Sequence, residues 1–225
     1  MNRVTSIFSQ ILRLFPRLEF EALVVQHKAQ RHARGFTCWG QFVAMLFCQL
    51  GRANSLREIC NGLAASEGKL KHLGLPGAPN RSTLSYANGH RPWQLFEAVF
   101  HALYARCAVE ARGRARKKFS FKNKLVSMDS TMITLCTKVF EWAHHTRRKG
   151  AVKLHLVLDH DGYLPQFAII SNGKKSDLRA AMEIDFEPGT IVVMDRGYYR
   201  FGWWLKLTRQ KVFFVSRLKA NAQAW

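Results

Sequence analysis

The sequence predicts an α+β protein in which an all-helical N-terminal domain precedes an α/β domain with a mixed five-stranded sheet. Apolar residues recur at helical spacing as far as about residue 107, and beyond residue 124 they form short runs typical of strands. Between the two patterns, residues 112–124 contain seven Lys or Arg residues and no acid. We therefore expect a helical domain at residues 1–78, a helical and basic linker region at 79–118, and the α/β domain at 119–225.

Capping signals mark two helices of the first domain. Thr37 is placed to cap a helix that runs to Leu50, and the wide apolar stripe of this helix makes it the expected core of the domain. Ser55 and Glu58 fit a capping box, in which a Ser and a Glu three residues apart satisfy backbone donors at the start of a helix. A further helix is therefore expected to begin at Ser55.

A short polar segment, residues 80–88, is also expected to be helical, and Pro92 then suits the start of a long helix to about Val109. Two interpretations of the short helix stay open. It is either a solvated surface helix, or a helix that lies against a DNA backbone with Arg81 and Arg91 facing phosphates.

The net charge of +20, from 35 Lys and Arg against 15 Asp and Glu, predicts a polyanionic partner. Nucleic acid is the expected partner, and an anionic membrane surface is the rival. No stretch approaches the roughly 18 consecutive apolar residues of a membrane span, and the N-terminus lacks a long apolar secretory core. The sequence therefore predicts a cytoplasmic protein without a membrane partner.

In the second domain, Asp159-His160-Asp161-Gly162 joins two of the expected strands. Its Asp-Gly pair is a strong hairpin signal, so Asp159 and Asp161 are expected to be turn residues. Helices are expected from Ser176 to about Glu183 and over residues 199–209. The five expected strands are Lys124–Met128, Val152–Leu158, Leu164–Ile170, Ile191–Met194 and Val212–Val215.

Two aspartates follow two of these strands directly. Asp129 ends the first strand, and Asp195 ends the buried run Ile191–Met194. The residue types leave two interpretations open. Each Asp could cap the segment that follows its strand. Alternatively, the two together could bind a divalent cation, which prefers hard oxygen ligands. Two acids at two strand ends, in a chain with so few acids, favour the metal site.

The order of these elements, with an acid after the first and the fourth strand, is that of the ribonuclease-H-like fold of DNA-cutting enzymes. At this point the sequence resembles the DDE transposases of the insertion-sequence-4 (IS-four) group, over nearly the whole chain. Motifs in both domains carry the resemblance: Met128-Asp129-Ser130-Thr131, Phe140-Glu141-Trp142-Ala143, Lys149–His155, Asp195-Arg196-Gly197-Tyr198, Phe36–Trp39 and Ser55–Glu58.

The resemblance implies a transposase of a bacterial insertion sequence, which cleaves DNA and transfers strands with Mg²⁺, or with Mn²⁺ as an alternative. Asp129 and Asp195 match the first and second acids of the family's catalytic metal site. The family's third acid is a Glu on a late helix, and the thirty residues after Asp195 contain no Asp or Glu. We therefore expect a C-terminally truncated chain with only the N-terminal portion of the catalytic domain. Whether it is an enzyme stays open, and the alternative is a catalytically inactive DNA-binding fragment that inhibits the intact transposase.

The resemblance also implies the partners: the terminal inverted repeats of the element and target DNA, bound by a homodimer at the bacterial nucleoid. A zinc site at His144, His145 and His155 is the rival interpretation of the central basic segment. No cysteine lies at ligand spacing, so a DNA-facing segment is favoured. The residues expected to contact DNA are Arg147, Arg148, Lys149, Lys153, His155, Arg196 and Tyr198.

Overall fold

The computed structural model describes residues 6–31, 35–66, 68–111, 120–135, 144–146, 149–172 and 175–218. The chain divides into two compact units, Met1–Leu103 and Tyr104–Trp225. Within the described residues, no helix combines the length and the apolar character needed to cross a membrane.

Helices make up the first unit, as the sequence predicts. The expected caps are present: Thr37 Oγ1 accepts from Gly40 N at 3.0 Å, and Ser55 Oγ accepts from Glu58 N at 3.2 Å. The Glu58 carboxylate accepts from Asn54 N at 2.8 Å, one residue before the cap, so the Ser55 cap is confirmed and Glu58 satisfies the neighbouring backbone donor instead of that of Ser55. The elements are α1 (Ile7–Leu12), α2 (Arg17–Gln26), α3 (Cys38–Leu50), α4 (Leu56–Ala64), a 3-10 helix (Leu70–Leu73), α5 (Arg81–His90) and α6 (Gln94–Ala111), which continues into the second unit.

The core of the first unit is built around α3, since every residue from Cys38 to Ala44 is buried. The rings of Phe20, Trp39 and Phe42 lie within 5.6 Å of one another, centroid to centroid. The Trp39 indole donates to the carbonyl of Leu73 at 2.8 Å, which satisfies its buried N–H. The prediction that this helix forms the core of its domain is confirmed.

The second unit contains a mixed sheet of six described strands, one more than the five predicted. The extra strand, β2, has three residues and pairs antiparallel with the start of β3, a length too short to give an alternating pattern in the sequence. The strands are β1 (Leu125–Leu135), β2 (His144–Thr146), β3 (Lys149–Asp159), β4 (Leu164–Asn172), β5 (Ile191–Met194) and β6 (Phe213–Ser216).

Strand β1 lies at the centre, antiparallel to β3 on one side and parallel to β5 on the other. Strand β3 also pairs antiparallel with β4, and β6 extends the sheet in parallel beyond β5. The predicted hairpin between β3 and β4 is confirmed, since Gly162 has a φ of +108° and Asp159 accepts from the backbone of Asp161 at 2.8 Å.

The prediction that the first strand ends at Asp129 was wrong. Pairing with β3 continues from Asp129, opposite Leu156, to Leu135, opposite Gly150. Residues 130–135 are rich in Thr and Ile, which favour strands. The antiparallel pairing with β3 therefore extends further along β1 than the parallel pairing with β5, whose last pair is Met128 with Met194.

Two helices cover one face of the sheet and bury its apolar residues. They are α7 (Asp177–Ala181) and α8 (Phe201–Arg209), and a 3-10 turn, Arg196–Tyr198, connects β5 to α8. Trp203 and Trp204 on α8 belong to the core, as expected of tryptophans at helical spacing. The buried residues of this core include Val126, Met128, Val157, Val192 and Met194 on the strands, and Ala181, Tyr198, Trp203, Trp204 and Leu207 on the helical segments.

Candidate active site

The two predicted acids lie side by side on the sheet. Strands β1 and β5 run parallel with Met128 opposite Met194, and the next residue of each strand is Asp129 and Asp195. The methionines are buried under the helices, so the aspartates, one residue further, belong to the opposite face, where both are exposed. Adjacent parallel strands therefore present both carboxylates on one open face.

Backbone amides orient each of the two carboxylates. Oδ1 of Asp129 accepts from Ser130 N at 2.7 Å, and Oδ1 of Asp195 accepts from Gly197 N at 2.8 Å. The second contact makes Asp195 the cap of the 3-10 turn, so the capping interpretation holds for Asp195. It does not hold for Asp129, which lies inside a continuing strand.

Gly197 leaves room for the Asp195 carboxylate. A Cβ atom at position 197 would lie 2.9 Å from Oδ1 of Asp195 and 3.5 Å from Oδ2. Any larger residue would push the carboxylate from its place, which gives a physical reason for glycine at this position.

The donor chemistry of the pair fits a divalent metal ion, since two exposed carboxylates on one face supply hard oxygen ligands. No third carboxylate, His or Cys joins them at metal-holding distance among the residues that the structure describes. Among the described residues, the protein side of such a site is the pair Asp129 and Asp195.

On the covered face lies a polar group of four residues, two of them buried and two partly exposed, here called the Asp177 cluster: Asp177, Lys153, His155 and Tyr198. Asp177 Oδ1 lies 3.2 Å from Lys153 Nζ and 3.4 Å from His155 Nδ1. His155 Nε2 lies 2.9 Å from Ser171 Oγ. Burial lowers the pKa of His155, and the nearby Asp177 carboxylate opposes that shift.

Tyr198 ends the 3-10 turn that follows Asp195. Its side chain is 2 % exposed, and burial raises the pKa of its phenol well above the usual value. The negative charges of Asp177, Asp129 and Asp195 raise this pKa further, in that order, while the Ser130 hydroxyl acts in the opposite direction.

The seven residues predicted to contact DNA fall into three groups. Lys153, His155 and Tyr198 belong to the Asp177 cluster; His155 and Tyr198 are buried, and Lys153 is mostly covered and ion-paired, so the structure does not bring their side chains to an open surface. Arg196 is exposed beside Asp195. Arg147 and Arg148 lie outside the described residues, as does the side chain of Lys149, which begins β3.

The short polar helix of the first unit divides its charged residues between two environments. On α5, Arg81, Tyr86 and His90 are exposed, and the last two rings stack at 3.8 Å. Arg91 turns inward instead and donates to Thr37 O at 2.9 Å and to Phe36 O. It thus anchors α5 to the start of α3 and does not face solvent as a phosphate contact would.

Two family models match the chain, and they divide it much as the fold does. Residues 3–76 match a domain of unknown function, DUF4372. Residues 120–225 match the transposase DDE domain. The mixed sheet with its flanking helices is therefore of the ribonuclease-H-like type found in DDE transposases.

Two relatives extend the similarity across both units. One is named "Putative transposase y4zB", from Sinorhizobium fredii, and is 30% identical over 73% of this chain and 44% of its own length. The other is named "Probable transposase for insertion sequence element IS5377", from Geobacillus stearothermophilus, and is 22% identical over 99% of this chain and 56% of its own length. The chain thus spans about half the length of the curated relatives it matches.

Sequence reasoning missed Asp177 as part of the site and predicted only that it opens a helix. A usable signal was present in β3, where Lys153 and His155 stand two residues apart and so share a sheet face. A lysine on a covered face requires a charged partner, and Asp177 supplies it.

Proposed function

We propose that this chain is the DNA-binding and metal-binding part of a bacterial insertion-sequence transposase of the IS-four group, which cleaves and transfers DNA strands with Mg²⁺. The observation that carries the proposal is the parallel pairing of β1 and β5, which presents Asp129 and Asp195 side by side on an open face. The match of residues 120–225 to the transposase DDE domain supports the same conclusion.

Asp129 and Asp195 would hold the divalent cation, and a bound cation supplies positive charge that stabilises the attacking and leaving oxygens at phosphorus. The backbone amides of Ser130 and Gly197 fix the orientation of the two carboxylates before any ligand arrives. Arg196, exposed in the turn beside Asp195, supplies a phosphate-binding guanidinium. Together these groups can bind and orient a DNA phosphate at the acid pair.

The DNA partners under this proposal are the terminal inverted repeats of the element and the target DNA, bound by a homodimer in the bacterial cytoplasm, at the nucleoid. The net charge of +20 supports a polyanionic partner. Two candidates for phosphate contacts are the basic segment Arg147–Lys149, from the sequence alone, and the exposed face of α5, where both interpretations of the sequence stay open.

Cleavage of DNA is the direct test. The purified chain is incubated with duplexes carrying the ends of its element, in Mg²⁺ or Mn²⁺, beside an Asp195→Ala variant. Nicks at the element ends that the variant does not make would support the proposal. Equal products from both proteins would contradict it, because the acid pair would then have no part in the reaction.

A second candidate function is DNA binding without cleavage, with inhibition of an intact transposase. It is favoured by the absence of a third ligating side chain near the pair within the described residues. Loss of preorganised charge at one reacting oxygen typically costs about 10²–10³ in rate. Tight binding of element ends with no product above the Asp195→Ala background, and slower cleavage by an intact relative when this chain is added, would select this candidate.

A further inference from the structure

Helix α5 is fixed to α3 by one of its sides. Leu84 and Ala87 on this side are buried. Asn88 Oδ1 accepts from Gln41 Nε2 at 2.7 Å, and Arg91 donates to Gln41 Oε1 at 3.2 Å. Positions 84, 87, 88 and 91 are three and four residues apart and so share one side of the helix. Because Gln41 is itself buried on α3, a buried polar contact sets the position of α5.

The opposite side of α5 is open. Ser82, Tyr86 and Gly89 repeat the same spacing about half a turn away from the buried positions, and all three are exposed. The Tyr86 ring is 66% exposed and stacks on the His90 ring, with 3.8 Å between centroids, and His90 Nδ1 lies 2.9 Å from Tyr86 O. Trp93 follows, 64% exposed. In the described part of the first unit, Tyr86 and Trp93 are the Phe, Tyr or Trp side chains that the fold leaves mostly exposed.

Gly89 leaves bare backbone on this open side. A Cβ atom at position 89 would have no atom of the described chain within 4 Å, so internal packing does not require a glycine. Its φ lies outside the left-handed region, so the backbone conformation does not require one either. Glycine in a helix costs stability relative to alanine, and one of its uses is to let a ligand approach the backbone closely. The space above Gly89 is open to such a ligand.

The charge around this side favours an anionic ligand. Residues 68–96 contain two Lys, two Arg and no Asp or Glu. Arg81, Ser82 and Ser85 are exposed and carry donors that suit phosphate oxygens. Exposed aromatic rings together with basic groups are the features by which proteins bind single-stranded nucleic acid, since bases stack on the rings and phosphates contact the cations. The open side of α5 therefore has the chemistry of a single-strand site.

The open side of α5 is here called the Tyr86 face and comprises Ser82, Ser85, Tyr86, Gly89 and His90. We propose that the Tyr86 face binds single-stranded DNA and stacks an unpaired base on the Tyr86–His90 ring pair. This goes beyond the proposed function, which assigns at most phosphate contacts to α5, and it rests on that function only for DNA as the partner. Any base is accepted, because every base has a π face.

The test compares two single strands of equal charge, each of about 10 nucleotides: a thymidine strand, and an abasic strand with the same sugar–phosphate backbone. Fluorescence anisotropy with the full chain gives both affinities at one salt concentration. The wild type should bind the thymidine strand at least about fivefold more tightly, the effect of one stacked base. Tyr86→Ala should lose this preference and keep the affinity for the abasic strand, because no charge changes. Tyr86→Phe should keep the preference, because the ring remains.

A second variant separates binding from folding. Gly89→Gln places a side chain in the open space without touching the described chain, and glutamine is a better helix former than glycine. It should keep or raise the melting temperature and reduce the preference for the thymidine strand. The matched control is Tyr163→Ala in the β3–β4 turn, which removes a tyrosine that is 51% exposed and also contacts a histidine ring. This control should keep the wild-type preference.

The outcomes distinguish this proposal from the proposed function. Equal binding of both strands by the wild type, or a preference that survives in Tyr86→Ala, would overturn base stacking and leave the cleavage test at Asp195 as it stands. A changed oligomeric state of Tyr86→Ala in sedimentation, with the preference intact, would make the Tyr86 face a contact between copies of the chain and overturn the proposal. A preference that Tyr86→Ala and Gly89→Gln lose would support it, even if the wild type cleaves no DNA.

Discussion

At the scale of single residues, the geometry of the acid pair depends on neighbouring backbone groups as well as on the two carboxylates. Asp195 is held by the amide of Gly197, and the same glycine leaves the space that the carboxylate occupies. The φ of Gly197 is not in the left-handed region, so its role is space and not conformational freedom. This distinguishes it from Gly162, whose φ of +108° is required by the turn before β4.

Gly197→Ala should therefore disturb the metal site more than the fold. The added methyl would lie 2.9 Å from Oδ1 of Asp195, and the carboxylate, as a flexible side-chain end, can rotate away at small cost to stability. We expect Mn²⁺ affinity to fall at least about tenfold, as for other residues that orient metal ligands, with little change in melting temperature.

Gly202→Ala is the matched control, because this glycine lies in α8 and no atom comes within 4 Å of the position that an added methyl would take. It should raise stability by less than the roughly 1 kcal/mol of a helix interior, because position 202 lies in the first turn of α8, and leave Mn²⁺ affinity unchanged. Wild-type affinity in Gly197→Ala would show that the carboxylate orientation seen here is not the one that binds metal.

At the scale of elements, β3 carries the polar side chains that fasten the sheet to α7. His155 is 2 % exposed, and burial, with Lys153 and Lys175, lowers its pKa from 6.5, while Asp177 and Glu183 oppose the shift. In the unfolded chain the same histidine takes up a proton near pH 6.5. The folded unit thus binds fewer protons than the unfolded chain just below that pH.

Stability should consequently fall as the pH drops below about 6.5, and His155 should account for part of the loss. The sign follows because a lowered folded pKa gives a contribution that is present above the unfolded pKa and lost on acidification. In thermal unfolding between pH 7.5 and 5, His155→Gln should show a shallower decline of melting temperature than the wild type. His160→Gln, in the β3–β4 turn, serves as control, and an equal decline in both variants would assign the acid sensitivity to other groups.

Elements with strong local signals could be predicted from the sequence, and those fixed by pairing could not. Thr37, the Ser55 cap and the Asp-Gly turn act through contacts within a few residues, and all three are as predicted. The length of β1 depends on its ladder with β3, whose partners lie far along the chain. The Asp129 and Asp195 assignment came from the pattern of strand and acid, whereas the Asp177 cluster depends on three elements meeting in space.

At the scale of the whole molecule, the two faces of the sheet have different roles. Helices α7 and α8 bury one face, and the acid pair lies on the other. Under the proposed function DNA must approach these two acids closely, and the net charge of +20 favours that approach. The central basic segment Arg147–Lys149 is the part of the sequence expected to attract the DNA phosphates.

DNA binding should accordingly weaken steeply with salt, and the basic segment should carry a measurable share of the dependence. Each phosphate contact contributes about 0.9 to the slope of log affinity against log salt. Replacing Arg147, Arg148 and Lys149 by Gln should lower the magnitude of the slope by up to about 2.7. Fluorescence anisotropy of a labelled duplex of about 40 base pairs, from about 50 to 300 mM salt, measures it.

The matched control removes three exposed positive charges from the same unit, at Lys206, Arg209 and Lys211, in α8 and just after it. Because net charge changes equally in both triple variants, a difference in slope reports contacts and not the overall field. An unchanged slope in the Arg147–Lys149 variant would place the DNA contacts elsewhere.

Arg81→Ala, on the exposed face of α5, then tests the helical unit. A slope whose magnitude is lower by about 0.9 in this variant would assign a phosphate contact to α5 and would favour the DNA-facing interpretation of the short polar helix over the solvated one.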